Sequence, residues 1–134
     1  MQTKEGRPSG KQETVEMKNK PFRDRLGFAL NGLQEAWRRE RSLRTQTYIG
    51  AIAVVVTIAL HPGLLWGGLV ALSIALVLGL ELANTAIEYL IDHLHPDIAP
   101  EIKLAKDVIA GAVLVACLGA LCVGVLMVLA VFLG

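Results

Sequence analysis

The chain has 134 residues, which is enough for one domain and too few for two of ordinary size. Hydrophobic residues make up 54% of it and its mean hydropathy is +0.53, which excludes an ordinary soluble domain. The net charge of +1 hides an uneven distribution: 11 of the 13 Lys and Arg residues precede Thr47, whereas residues 47–80 and 108–134 carry no charged side chain. Each of these runs exceeds the roughly 20 residues that a helix needs to cross a bilayer, so the composition predicts an integral membrane protein.

The N-terminal part of the chain changes character near residue 22. Residues 1–21 are polar without an apolar period, which predicts a disordered cytosolic tail, and they lack the apolar core of a signal peptide. Residues 22–40 predict an amphipathic helix on the membrane surface, and a soluble helix packed on a partner is the alternative. The apolar residues that recur there every three or four positions are Phe22, Leu26, Ala29, Leu30, Leu33 and Trp37.

Three transmembrane helices are predicted to follow, at about residues 45–60, 64–92 and 102–133. The tripeptide His61-Pro62-Gly63 separates the first two, and a loop with two prolines at 93–100 separates the last two. The tripeptide has no Lys or Arg, whereas the N-terminal segment and the region of the second loop contain all of them. The positive-inside bias therefore places the N-terminus and the loop around Asp97 in the cytoplasm, with the turn and the C-terminus outside.

Five polar residues interrupt the second predicted span, namely Glu81, Asn84, Thr85, Glu88 and Asp92. Their offsets of 3, 4, 7 and 11 place them on one stripe of a helix. At about 1.5 Å per residue, Glu81 lies about 16 Å inward from Asp92, and Glu88 about 6 Å. An ionised group in the bilayer costs roughly 2.5–3.5 kcal/mol, so such carboxylates usually indicate a functional site. The alternative is that Glu81 and Glu88 only pair with other helices to fix their packing.

Charged residues also occur near the predicted ends of the other spans. Lys106 is a candidate for binding phosphate and Asp107 for binding a cation, with a simple interfacial ion pair as the alternative. Glu40 lies among arginines, and by itself this pattern indicates a solvated, ion-paired surface residue. The chain has no glycine-rich phosphate loop, HExxH motif or nucleophile elbow. Any nucleotide must therefore be held by carboxylates, a metal ion and a few basic groups.

Three segments together are similar to a known family. Residues 81–88, Glu-Leu-Ala-Asn-Thr-Ala-Ile-Glu, followed by Asp92, resemble the signature of the prokaryotic diacylglycerol kinase family. Ala105-Lys106-Asp107 with the stretch 110–114 resembles its second block. The stretches 28–33 and 40–44 resemble its surface-helix motif. The resemblance covers about residues 22–130.

The resemblance implies an all-α integral membrane protein with a surface helix and three transmembrane helices, assembled as a homotrimer with active sites shared between subunits. It implies transfer of the γ-phosphoryl group of Mg-ATP to a lipid hydroxyl at the bacterial cytoplasmic membrane, with no nucleic-acid partner. Glu81 matches the catalytic base and Asn84 its partner, while Glu40 and Glu88 match the ligands of Mg²⁺. ATP contacts are implied at Phe28, Glu40, Glu88, Asp97, Ile98, Ala99, Lys106 and Asp107. Lipid contacts are implied at Arg25, Leu30, Gln34, Trp37, Ser42, Arg44, Glu81 and Ala110.

The chain departs from the family pattern near the surface helix. Pro21 stands where an arginine that touches nucleotide and substrate is expected, and Phe28 and Leu30 stand where some members have Tyr and Trp. The block Ala110-Gly111-Ala112 resembles members that phosphorylate undecaprenol as well as those that take diacylglycerol.

The expected acceptor is diacylglycerol, because polar groups on the first helix and just after it face ester carbonyls that a polyprenol does not have. These groups are Asn31, Gln34 and Ser42. Undecaprenol kinase is the alternative within the family. A non-enzymatic cation carrier, with Glu81 and Glu88 lining its path, is the alternative outside it.

Overall fold

The computed structural model describes residues 20–94 and 99–133, and the elements in these ranges are four α-helices. They are α1 (Phe22–Arg39), α2 (Arg41–Leu60), α3 (Leu64–Leu94) and α4 (Pro100–Leu133). The last three are long and apolar enough to cross a membrane. The prediction of an all-α membrane protein with one N-terminal helix and three transmembrane helices is therefore confirmed. The predicted disorder of the tail falls mostly on residues 1–19, which lie outside the described ranges.

Contacts within the chain divide it after Glu35 into two units. The described part of the first unit is most of α1, whose apolar side chains are largely exposed: Phe22 is 76% and Leu30 57% accessible. The ammonium group of Lys20 lies 5.5 Å from the centroid of the Phe28 ring, a cation–π distance. The placement of this helix on the membrane surface stays a prediction.

The first transmembrane helix begins earlier than predicted. It starts at Arg41, directly after Glu40, whose extended backbone (φ −96°, ψ 112°) ends α1. The Arg44 guanidinium donates to the carbonyls of Trp37 at 2.9 Å and Arg38 at 3.1 Å, and so satisfies the last turn of α1. The helix begins four residues before the predicted span, because the basic residues there belong to its first turns. The 20 residues of α2 span about 30 Å, the thickness of the hydrocarbon core.

A tight turn reverses the chain between α2 and α3. His61 has a left-handed backbone (φ 50°, ψ 50°), and its N–H donates to the Thr57 carbonyl at 3.2 Å. Gly63 follows with φ 94°, a conformation that glycine adopts without strain. At the opposite end of the bundle, α3 ends two residues after its predicted span and α4 begins two residues before its own. Pro100 occupies the first turn of α4, where the missing N–H of proline costs no helical hydrogen bond.

The three long helices form a bundle in which α3 packs along both α2 and α4, while α2 and α4 touch at few points. Close packing of α2 on α3 depends on Gly50, because a Cβ atom there would lie 3.2 Å from Cγ2 of Ile74. A groove of about 660 Å³ remains open between α2 and α4, with α3 as its floor. Residues buried between the helices include Leu43, Gly50, Val70, Val77, Glu81, Thr85, Val113, Ala116 and Met127.

Candidate functional site

The polar stripe of α3 runs from the interior of the bundle to its end. Glu81 is 4% exposed and Thr85 is 5% exposed, so both side chains are enclosed by the neighbouring helices. Asn84 and Glu88 are half-buried, and Asp92 is exposed. The stripe therefore offers polar groups at successive depths, with the most enclosed carboxylate farthest from the end of the helix.

Two side chains in the middle of the stripe contact each other. The Asn84 side-chain amide donates a hydrogen bond to Oε1 of Glu88 at 3.2 Å, one helical turn away. The Oδ1 atom of Asn84 is buried and has no hydrogen-bond partner among the described residues. A buried carbonyl oxygen without a donor is costly, so this atom is able to accept a donor or a cation without losing an existing contact.

A hydrogen bond joins the start of α2 to α3. The Tyr89 hydroxyl donates to Oε1 of Glu40 at 2.8 Å, across 49 residues of chain. Glu40 is the N-cap residue of α2, but its side chain makes no capping hydrogen bond. Its carboxylate is therefore directed to the turn of α3 that contains Glu88, the residue before Tyr89.

The start of α4 reaches the same region of α3. Lys106 donates to Oδ1 of Asp92 at 2.8 Å and also lies within electrostatic reach of Glu88. One turn away, Lys103 and Asp107 form an exposed pair at 3.9 Å, a kind of contact that contributes little to stability. Lys106 is thus the basic group of α4 that faces the acidic side of α3.

These contacts define a polar cluster that consists of Glu40, Asn84, Glu88, Tyr89, Asp92 and Lys106. Among the described residues no three His, Cys, Asp or Glu side chains come together as a ready metal cage. Mg²⁺ in nucleotide sites is commonly held by one or two carboxylates, with phosphate oxygens and water completing the shell. The carboxylates of Glu40 and Glu88 and the unpartnered Asn84 oxygen are hard oxygen donors of this kind. The residues therefore fit a divalent cation that is bound together with phosphate groups.

Several predicted lipid or nucleotide contacts lie on α1 and are exposed, namely Arg25, Phe28, Leu30 and Gln34. Their roles stay predictions. Trp37 packs edge-on against the Tyr48 ring, with centroids 6.0 Å apart. Arg44 is occupied by the carbonyls that end α1, while Ser42 at the start of α2 is exposed.

The predicted contacts near the second loop are partly described. Ala99 precedes α4, and its carbonyl accepts the N–H groups of Ile102 and Lys103, both at 3.1 Å. Asp97 and Ile98 lie outside the described residues. Ala110 lies on α4, one turn past Lys106, and is exposed. Of the predicted site residues, the structure brings together Glu40, Asn84, Glu88 and Lys106.

The arrangement of this cluster at the end of three membrane-spanning helices agrees with the motif similarity. The sequence model described as "Prokaryotic diacylglycerol kinase" matches residues 27–128. The chain belongs to this family. The match includes the whole polar cluster, together with α2, α3 and most of α4. The three apolar helices and the family together indicate a bacterial membrane protein.

Two similar relatives are both named "Diacylglycerol kinase". One, from Synechocystis sp., is 36% identical over 98 residues, which are 72% of this chain and 56% of the relative. The other, from Escherichia coli, is 31% identical over 90 residues, which are 67% of this chain and 74% of the relative. The matched part thus spans little more than half of the Synechocystis protein.

Sequence reasoning did not find two contacts of this kinase-family cluster. The Asp92–Lys106 contact could have been predicted, because the two residues flank the loop that joins two antiparallel helices and lie at similar distances from it. The Tyr89–Glu40 hydrogen bond could not have been. Neither its spacing of 49 residues nor the exposed tyrosine distinguishes it in the sequence.

Proposed function

We propose that this protein is a membrane lipid kinase that transfers the γ-phosphoryl group of ATP to the hydroxyl of diacylglycerol and forms phosphatidic acid. The observation that carries the proposal is the depth of Glu81 relative to the polar cluster. Glu81 is enclosed by the bundle, and it lies seven residues, or about 10 Å, deeper than Glu88. A deep carboxylate below a shallow cluster of carboxylates and lysine suits a reaction between a membrane alcohol and a water-soluble nucleotide.

The family and the names of the relatives support the same activity. The relatives from Synechocystis and E. coli are each called diacylglycerol kinase, and the match to the chain contains Glu81, Glu88 and Lys106. The cation carrier predicted as an alternative has less support, because a carrier has no need of a lysine beside the carboxylates at one end of its path.

Glu81 is the proposed proton acceptor. No hydrogen bond or ion pair reaches its carboxylate within the described part of the chain, so the group is available to a substrate hydroxyl. As the lipid oxygen forms its bond to the γ-phosphorus, the bond from that phosphorus to the β–γ bridging oxygen breaks and ADP leaves. The hydroxyl proton passes to Glu81. Such general base catalysis typically raises the rate by about 10²–10⁴-fold.

Lys106, Glu40 and Glu88 are proposed to hold the nucleotide end of the reaction. Lys106 donates to Asp92 in the described structure, and it exchanges this partner for a phosphate oxygen when ATP binds. Glu40 and Glu88 would hold a divalent cation, Mg²⁺, which neutralises negative charge on the phosphates when bound. Asn84 fixes the Glu88 carboxylate through the hydrogen bond at 3.2 Å.

The open groove between α2 and α4 is proposed to receive hydrocarbon from the lipid. Val77 lines it one turn below Glu81, and the rest of its wall is mostly aliphatic. A chain lying there leaves its polar end near the Glu81 carboxylate. The preference for diacylglycerol over a polyprenol is proposed to come from polar groups that meet ester oxygens, such as Ser42 at the start of α2.

Assembly and orientation are part of the proposal. A homotrimer with active sites shared between subunits would supply further groups beside a cluster that offers three carboxylates and one lysine from one chain. The basic N-terminal segment and Lys103 and Lys106 support an orientation in which the cluster end of the bundle lies in the cytoplasm, where ATP is present. The membrane is then the bacterial cytoplasmic membrane.

The proposal is tested with the purified protein in nanodiscs and ATP labelled at the γ-phosphorus. Short-chain diacylglycerol and a matched polyprenol are supplied as acceptors, and kcat/KM is measured for each. We expect labelled phosphatidic acid, with diacylglycerol favoured about 5- to 150-fold, the range that one or two hydrogen bonds provide. Labelled polyprenyl phosphate as the main product would instead identify the protein as an undecaprenol kinase.

Cation transport without phosphoryl transfer to either lipid is the outcome that would contradict a kinase. Glu81→Gln serves as the negative control, because the substitution keeps the size of the side chain and removes the proposed base. No transfer by the wild type to either lipid, together with cation uptake by proteoliposomes that Glu81→Gln abolishes, would support the carrier instead.

A further inference from the structure

Tyr89 makes a contact that the reaction just described does not use. Its hydroxyl donates to Oε1 of Glu40 at 2.8 Å and joins the start of α2 to the turn of α3 that contains Glu88. We infer that Tyr89 is a positioning residue, which holds the Glu40 carboxylate beside Glu88 so that both face one divalent cation. The inference rests on the proposed function, because it takes Glu40 and Glu88 as the ligands of that cation.

Glu40 needs such a partner because its backbone is fixed and its side chain is not. The Glu40 N–H donates to the Ala36 carbonyl at 2.8 Å, and the Glu40 carbonyl accepts the Arg44 N–H at 3.4 Å. As the N-cap residue it would ordinarily cap the first N–H groups of α2, yet it makes no side-chain capping bond. A glutamate has three rotatable bonds, so without a partner its carboxylate samples many positions, few of them facing Glu88.

The geometry of the hydrogen bond leaves Glu40 able to bind a cation. A carboxylate has two oxygens and about four acceptor positions, and the Tyr89 hydroxyl occupies one of them. A hydroxyl that donates to a charged oxygen makes a strong, short contact, which orients the group without neutralising it. Outer partners of this kind orient carboxylate ligands in metal sites, and their loss typically costs about 10- to 100-fold in metal affinity.

Tyr89 is suited to this role by its place in α3. Successive residues of a helix point about 100° apart, so Tyr89 reaches the start of α2 while Glu88 receives its hydrogen bond from Asn84. Each carboxylate thus has its own donor. Tyr89 is 41% exposed, so water competes for its hydrogen bond, and we expect an effect at the lower end of the range above.

The experiment compares Mn²⁺ binding to wild-type protein and Tyr89→Phe in nanodiscs, by electron paramagnetic resonance with a non-hydrolysable ATP analogue present. The substitution removes only the hydroxyl. We expect Mn²⁺ binding to weaken about 10-fold and the metal concentration for half-maximal activity to rise by a similar factor. The kcat at saturating metal and the KM for diacylglycerol stay unchanged, a split that a general loss of structure would not produce.

Tyr48→Phe is the matched control. It also removes a phenolic hydroxyl, from a ring that packs on Trp37, and we expect unchanged Mn²⁺ binding. A second control is the double variant Glu40→Gln with Tyr89→Phe, which should bind Mn²⁺ no more weakly than Glu40→Gln alone, because Tyr89 acts through Glu40.

The outcomes separate this inference from the function on which it rests. Unchanged Mn²⁺ binding in Tyr89→Phe, with weaker binding in Glu40→Gln, would overturn the role of Tyr89 and leave the kinase and its metal site standing. Unchanged binding in Glu40→Gln as well would remove Glu40 as a ligand and overturn both. Additive losses in the double variant would show that Tyr89 acts on the metal independently of Glu40, which also contradicts the inference.

Discussion

The two ends of the α2–α3–α4 bundle are joined by different kinds of contact. At the end that contains the polar cluster, Tyr89 donates to Glu40 and Lys106 donates to Asp92, both at 2.8 Å and both between helices. Toward the turn at His61, the Thr57 hydroxyl donates to the Ala53 carbonyl of its own helix at 2.8 Å, and its oxygen lies 3.6 Å from the sulfur of Met127 on α4. One end uses charge-assisted hydrogen bonds and the other uses close apolar packing.

The difference follows from the solvent at each depth. Lipid chains are as apolar as the side chains they contact, so association of helices in the membrane depends on close approach, as at Gly50 and Ile74. Near the aqueous boundary, charged groups keep part of their hydration, so burying them costs less, and they form directional contacts. Substitutions in the polar cluster should therefore alter chemistry with little loss of stability, whereas substitutions in the apolar part should do the reverse.

The largest effect is expected at the boundary between the two regions. Glu81→Gln should lower kcat about 100- to 10,000-fold, because it removes the proposed proton acceptor and keeps the shape of the side chain. ATP-analogue binding and thermal unfolding should stay close to wild type. Glu101→Gln is the matched control, since it neutralises an exposed carboxylate at the start of α4 and should keep full activity. Equal kcat in the wild type and Glu81→Gln would remove Glu81 from this role.

The next effect concerns the metal at the polar end. Glu88→Ala and Glu40→Ala should each raise the divalent-metal concentration for half-maximal activity by roughly 10- to 100-fold, because each loses a proposed oxygen ligand. Metal titrations at saturating ATP and lipid measure the shift. If neither variant changes the metal dependence, Glu40 and Glu88 are not ligands, and Glu40 is a solvated surface residue.

A smaller effect is expected at Lys106. Lys106→Met should raise the KM for ATP about 10-fold, the lower end of the value of a charged hydrogen bond, since the side chain is 34% exposed. Stability should change little, because exposed ion pairs contribute about 0–1 kcal/mol. Lys103→Met is the control. It lies one turn away in an exposed pair with Asp107, and a rise in KM equal to that of Lys106→Met would point to general electrostatics instead.

The smallest effect on activity is expected in the apolar part. Gly50→Val should lower the free energy of unfolding by about 1–3 kcal/mol, because a Cβ atom there lies 3.2 Å from the stiff Ile74 side chain. The kcat of the folded protein should stay unchanged. Gly119→Val in α4 is the control, because an added Cβ meets nothing within 4 Å in the described chain. Equal destabilisation by both variants would show that helix propensity, not packing, decides the result.

The sequence by itself was sufficient to predict the helices, the break at His61 and the polar stripe on α3. Charge-free runs of membrane length and a period of three to four residues are local signals, so they can be recognised without knowledge of the fold. The helix α2 begins four residues before the predicted span, because its first turns are polar and do not differ in composition from a linker. Similarity in three motifs was sufficient for the family, which the match over residues 27–128 confirmed.

Tertiary structure decided which side chains meet. Glu40 looks like any surface glutamate until the packing of α2 on α3 brings Tyr89 within 2.8 Å of it. Asp92 and Lys106 look like separate charges until the antiparallel packing of α3 on α4 pairs them. A hydrogen bond between distant residues depends on the register of two packed helices, which is fixed by contacts such as Gly50 on Ile74 and leaves no periodic trace in the sequence.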